Sequence, residues 1–190
     1  MSNSTKHGAA AKPARQNAGE LQRMFEDCPS PQRVCHKLAQ LMHVQRNEVA
    51  LFRLEKNSLR FLFPTELRAA GAIPLSGSAV AARTAATRAP LLSNNFARVK
   101  HVSLFESIKL GASEDNEGNE QLPIQKIISV PVVDDKNNVV GVAQVSRKGL
   151  DSSLAGNDFT NDDLKQLERA AEFIGRMPFM QEGAPLGDEK

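Results

Sequence analysis

Residues 127–148 read IISVPVVDDKNNVVGVAQVSRK, two almost wholly apolar runs (127–133 and 139–145) on either side of Asp134-Asp135-Lys136-Asn137-Asn138. Both runs are rich in β-branched side chains, which favour the pleated backbone, and a short polar insert between two such runs is the composition of a β-hairpin. Neither run alternates polar with apolar, so both faces of both strands must be covered. A chain holding this hairpin therefore places it at the centre of a sheet, with one layer packed above and another below.

A chain of 190 residues supplies one good core of that kind once polar ends are set aside. The expected division is a disordered tail at 1–19, a single domain at 20–179 and a flexible tail at 180–190. The formal net charge is +2; three of the cations, Lys6, Lys12 and Arg15, sit in the first tail, and the remainder carries no basic footprint for nucleic acid. Two cysteines, Cys28 and Cys35, cannot build a disulfide framework or a thiolate zinc site alone. No apolar segment that reads as a signal follows Met1, and no run approaches the roughly 18 to 20 residues that span a bilayer. A cytoplasmic protein that engages neither membrane nor nucleic acid is expected.

In chain order, Leu21, Met24 and Phe25 begin a helical pattern that Pro29 and Pro31 interrupt. A new helix starts there, with Ser30 as N-cap, Pro31 as first residue, and Val34, Cys35, Leu38, Leu41 and Met42 as one apolar stripe. Residues 48–54 and 59–63 read as a second hairpin, 65–70 as a short helical turn and 73–75 as an extended piece. Residues 79–88 form an alanine-rich helix with Ser78 as its cap. A short strand follows at 90–92, then a turn or two of helix within 96–110 and a polar loop at 111–121. After the central hairpin, Thr160 caps a helix carrying Leu164, Leu167, Ala171 and Ile174, and Asp163 three residues on completes a capping box.

This order of elements resembles a GAF domain, the small-molecule sensing module related to PAS domains. The residues that carry the resemblance are Ile73-Pro74-Leu75 with Gly77-Ser78, Arg88-Ala89-Pro90-Leu91, Ser129-Val130-Pro131-Val132, Val140 to Val145, and Phe159-Thr160. The resemblance implies an α+β fold, in which a six-stranded antiparallel sheet carries the N- and C-terminal helices on one face. On the other face a helix and loop roof, residues 65–124, covers a pocket. Gly141 lets a layer approach the sheet closely, while Pro131, which donates no ladder bond, belongs at an edge or a bulge.

Fold does not select the ligand, so the site residues carry the question. Family members that bind cyclic nucleotides are similar to one another in an Asn-Lys pair, a Phe and an Asp-Glu pair; the matching positions here are Arg147-Lys148, Phe159 and Asp163-Leu164, so Asn and Glu are missing. A Lys148–Asp163 ion pair closing the connection onto the last helix is the expected use of what remains. Cys35-His36 lies on the first long helix, with Cys35 in the apolar stripe, where a buried structural thiol is expected rather than a bilin attachment. The four histidines, His7, His36, His43 and His101, show no metal-ligand spacing. No nucleophile motif or phosphate-binding loop occurs.

The implied pocket draws on Phe63, Leu75, Phe96 and Phe105 as walls and on Ser78, Thr84, Asn94 and Gln144 as polar contacts. Gln144 is the most informative, because an amide inside an apolar run must find hydrogen-bond partners once buried. The expected function is a non-enzymatic sensory domain that binds a small molecule and signals through a homodimer or a protein partner. No cofactor is named. The alternative is a degenerate GAF domain used only for dimerisation or protein interaction. The third is a GAF-type enzyme such as a methionine sulfoxide reductase, which needs cysteines bordering the pocket; none follows Cys35, so catalysis is not expected.

Overall fold

The two apolar runs pair along their whole length. In the computed structural model, which describes residues 18–26, 28–96, 122–181 and 183–184, they are the fifth and sixth strands, β5 (Ile124–Val133) and β6 (Val139–Lys148). Their antiparallel register runs from Ile124↔Lys148 to Val133↔Val139. Asp134 closes the turn: its carboxylate accepts from the backbone N–H of Lys136 and Asn138 at 2.9 and 2.7 Å. Hydrogen bonds from Asn138 hold its carboxyl below the usual range. The other strands are β1 (Val49–Glu55), β2 (Ser58–Phe63), β3 (Ala72–Pro74) and β4 (Leu91–Ser93). Together they form one six-stranded sheet in the order β3-β2-β1-β6-β5-β4, every pairing antiparallel. Pro131 is half-buried and lies past the end of β4, which pairs only as far as Ser129. That open edge is where a strand tolerates a missing N–H.

Both faces of the hairpin are covered, as its lack of alternation requires. One face carries α1 (Ala18–Glu26), α2 (Pro31–Leu41) and, from the end of the chain, α4 (Asn161–Ile174). Leu38, Leu167 and Ile174 of these helices pack with Leu51, Val130 and Val145 of the sheet in the largest cluster. Ser30 caps α2 by accepting from Arg33 N–H, with Pro31 in the first turn, and Thr160 with Asp163 forms the capping box of α4. The opposite face carries α3 (Val80–Thr87), with Ala81, Ala82 and Ala85 packed on Phe52, Phe61 and Val142. A smaller cluster of Val80, Phe96, Ile124 and Ile127 lies beside it.

At Gly141 the sheet admits a close approach. A β-carbon there would lie 2.1 Å from the Phe52 carbonyl oxygen and 2.5 Å from Met180 Cε, so only glycine fits. Arg53, directly across from Gly141 in the β1–β6 ladder, is 2 % exposed. Its guanidinium donates to the carbonyls of Phe179 and Ala184 at 3.0 and 2.8 Å and to the Glu55 carboxylate. Glu55 also pairs with Arg60 at 3.0 Å. Arg53 and Gly141 thus hold the segment after α4 against the face of the sheet that carries the terminal helices.

Several elements differ from expectation for local reasons. α3 starts at Val80 with Ala79 at its N-cap and no side-chain cap, and Ser78 is exposed rather than capping. Arg88, left-handed at φ 56, ends it. Residues Thr65–Ala70 form a 3₁₀ helix. α1 begins at Ala18, and Met180 is fully buried. The helix and polar loop expected between 97 and 121, and most of both expected tails, lie outside the described residues.

Candidate functional site

Alternation along β6 turns Val142, Gln144 and Ser146 to the α3 side and Ala143 and Val145 to the other. In the ladder Gln144 stands opposite Ala50 of β1 and Ser129 of β5. α3 crosses above them and lowers Thr84 onto the same spot. Thr84 Oγ1 and Ser129 Oγ share a hydrogen bond of 2.8 Å, and Gln144 Nε2 donates to Ser129 Oγ at 3.1 Å. The three side chains are 2 %, 0 % and 6 % exposed, so this polar trio sits inside the core between the two apolar clusters under α3. None of the three bears a charge, so hydrogen bonding is the chemistry that this trio offers.

Of the residues expected to line a pocket, Thr84 and Gln144 meet here. Phe96 packs in the adjoining cluster with Val80, and Leu75 lies at the margin of the one built on Phe52 and Phe61. Phe63 does not join them. A bulge in the β1–β2 ladder pairs Phe61 with Phe52 but Phe63 with Leu51, and so turns Phe63 to the terminal-helix face. Ser78 is exposed. Asn94 serves the frame: its amide donates to the Phe159 carbonyl at 2.9 Å and accepts from the Phe159 N–H at 2.8 Å, tying the end of β4 to the approach to α4. Phe105 lies outside the described residues. Ser129 was not among the expected contacts, although a lone hydroxyl inside IISVPVV carries the same signal that marks Gln144.

The positions matched to a nucleotide site tie the end of β6 to the segment before β1 and to the approach to α4. Arg147 lies over the Phe159 ring at 4.7 Å and donates to the His43 carbonyl at 3.2 Å. Lys148 Nζ donates to the Asn47 carbonyl at 2.6 Å; burial lowers its pKa and the neighbouring Glu48 charge opposes that. Asp163, expected to pair with Lys148, spends its carboxylate on the Thr160 N–H and hydroxyl in the capping box. Both cysteines are buried in the terminal-helix cluster, away from the trio's face. Burial pushes the Cys35 thiol well above its ordinary pKa, with Arg46 partly opposing.

Among the described residues no group of His, Cys, Asp and Glu is arranged to hold a metal ion, and no helix is long and apolar enough to cross a membrane. An open groove of about 310 Å³ lies at the free edge of β5, between Pro131 and Val133 on one side and Glu168 and Glu172 of α4 on the other, and shares no residue with the trio.

A model of the GAF domain family matches residues 32–177. No curated protein matches. Among solved structures, the GAF domain from an Acinetobacter phosphoenolpyruvate-protein phosphotransferase aligns with a TM-score of 0.58 at 13 % identity, covering 83 % of this chain and 87 % of that one. The GAF domain of the corresponding protein from Coxiella burnetii gives 0.59 at 9 % identity, covering 84 % and 91 %. The fRMsr of Staphylococcus aureus in its reduced form gives 0.53 at 16 %, covering 84 % and 93 %. At such identities the likeness is one of fold. It nevertheless corrects the expectation that this chain is not an enzyme: fRMsr, a free methionine-R-sulfoxide reductase, has the same fold, so the fold does not exclude catalysis.

Proposed function

Because this chain belongs to the GAF domain family, we propose that it is a small-molecule-binding regulatory domain whose site lies around Gln144, between α3 and the sheet. The buried trio carries this reading. Polar side chains sealed among apolar neighbours cost stability unless paired, and here three of them converge from α3, β5 and β6 on one point. A ligand that favours the docked position of α3 shifts the population toward it. The same strand that carries Gln144 carries Gly141, on whose backbone Met180 rests from the other side. A change in β6 therefore reaches the terminal-helix face, where a second copy or a partner reads it.

Thermal unfolding against a metabolite panel tests the proposal. A true ligand at a hundred times its Kd adds about 2.7 kcal/mol, a rise of roughly 5–11 °C for a chain of this size. Gln144→Leu is expected to stay folded and lose the response. If no compound stabilises the wild type, the ligand reading fails and an interaction module remains, marked by a stable oligomer on sizing at micromolar concentration.

A further inference from the structure

We propose that the site takes an uncharged ligand through an amide edge, an adjacent N–H and C=O such as a carboxamide or lactam presents; this rests on the reading that the trio lines a ligand site. A glutamine amide offers two N–H donors and a carbonyl acceptor. In Gln144 one N–H is taken by Ser129, the one hydrogen bond of this side chain among the described residues. Its carbonyl oxygen has no hydrogen bond among the described residues, and the residue is 6 % exposed. Among the described residues one donor and one acceptor of the same planar group therefore remain, and they match an amide edge with both hydrogen bonds made.

Charge points the same way. Thr84, Ser129 and Gln144 are neutral. Of the cations on neighbouring elements, Arg83 and Arg88 are exposed, Arg88 donating to the Asn137 carbonyl. Lys126 of β5 is spent on the Gly156 carbonyl at 2.6 Å and the Asp158 carboxylate at 2.8 Å. A carboxylate or phosphate drawn in beside the trio would lose its hydration without a described cation to replace it. An amide gives up only the water on two groups that the glutamine then pairs. The apolar clusters on either side, with Phe52, Phe61 and Phe96, suit a ligand whose remainder is apolar or aromatic.

Benzamide and benzoate share shape and ring and differ at this edge, so they are the probes. In ¹⁵N-labelled protein the side-chain amide signals of Gln144, identified by their loss in Gln144→Leu, are followed through titration with each. Should Gln144→Leu not fold, Gln144→Glu, which keeps the length and loses the amide, identifies them. Benzamide is expected to shift these signals saturably, with an affinity at least about tenfold above that of benzoate, the discrimination one unpaired polar contact commonly supplies. Benzoate binding equally or more tightly overturns the amide edge and leaves the ligand site standing. Neither compound moving the Gln144 signals overturns the proposal, and the ligand site is then decided by the metabolite panel alone.

Discussion

Gly175→Ala is expected to lower the melting temperature by about 6–12 °C, the response of a chain of this size to a loss of about 3 kcal/mol. Gly175 ends α4 at φ −60 and ψ −21, a helical conformation that alanine adopts with better propensity than glycine. The cost is therefore one of space. A β-carbon at this position would lie 1.8 Å from the Val133 carbonyl oxygen and 2.6 Å from its carbon. Both are backbone atoms at the end of β5, so no side chain can swing aside; α4 must lift or the hairpin must yield. Overpacking a tight site costs about 1–3 kcal/mol and occasionally more, and a backbone obstacle places this one at the upper end. Calorimetry of the wild type and the variant measures the difference. A melting temperature within about 2 °C of wild type would mean that α4 does not approach the central hairpin as closely as described.

Arg53→Met is expected to cost about 3 kcal/mol, and to do so in a recognisable place. The substitution keeps the apolar stem and removes the donors that serve Phe179, Ala184 and Glu55. Each buried polar group left unpaired costs about 1–3 kcal/mol. Glu55, which keeps Arg60, is partly spared. The two carbonyls are not, and the segment they belong to loses its hold on the sheet. Hydrogen exchange should quicken at the amides of Met180 and Gln181, which bond to the carbonyls of Met177 and Pro178 at 2.9 and 3.1 Å. A lower melting temperature with unchanged exchange at those two amides would assign the role of Arg53 to its ion pairs with Glu55 instead of to the terminal segment.

The parts of this molecule that are legible in its sequence are those in which neighbours along the chain decide the outcome. The central hairpin, the Ser30 cap with Pro31, and the Thr160–Asp163 capping box all follow from residues a few positions apart, and each is where its sequence places it. Gly141 follows too, because a lone glycine in an apolar strand implies a close approach. What stays hidden depends on distant partners. Arg53 reads as a charge in a strand until its carbonyl acceptors arrive from 126 and 131 residues away. Asn94 reads as a loop amide until Phe159 reaches it. Phe63 follows Phe61 at the strand period, and only a bulge in the ladder turns it to the other face. The trio is half legible: Gln144 and Thr84 are recognisable as polar groups in apolar surroundings, whereas Ser129 completes the set only once β5 and β6 are in register.

Native mass spectrometry of the purified protein tests most directly whether the core polar site around Gln144 holds a small molecule. Spectra of the wild type, taken after incubation with the stabilising compounds of the panel, are expected to show the chain plus one ligand mass per copy. That mass should leave on denaturation and be missing from Gln144→Leu, and the same spectra count the chains in each assembly. Ligand retained equally by Gln144→Leu, or a wild-type chain that stays bare throughout, would contradict the account.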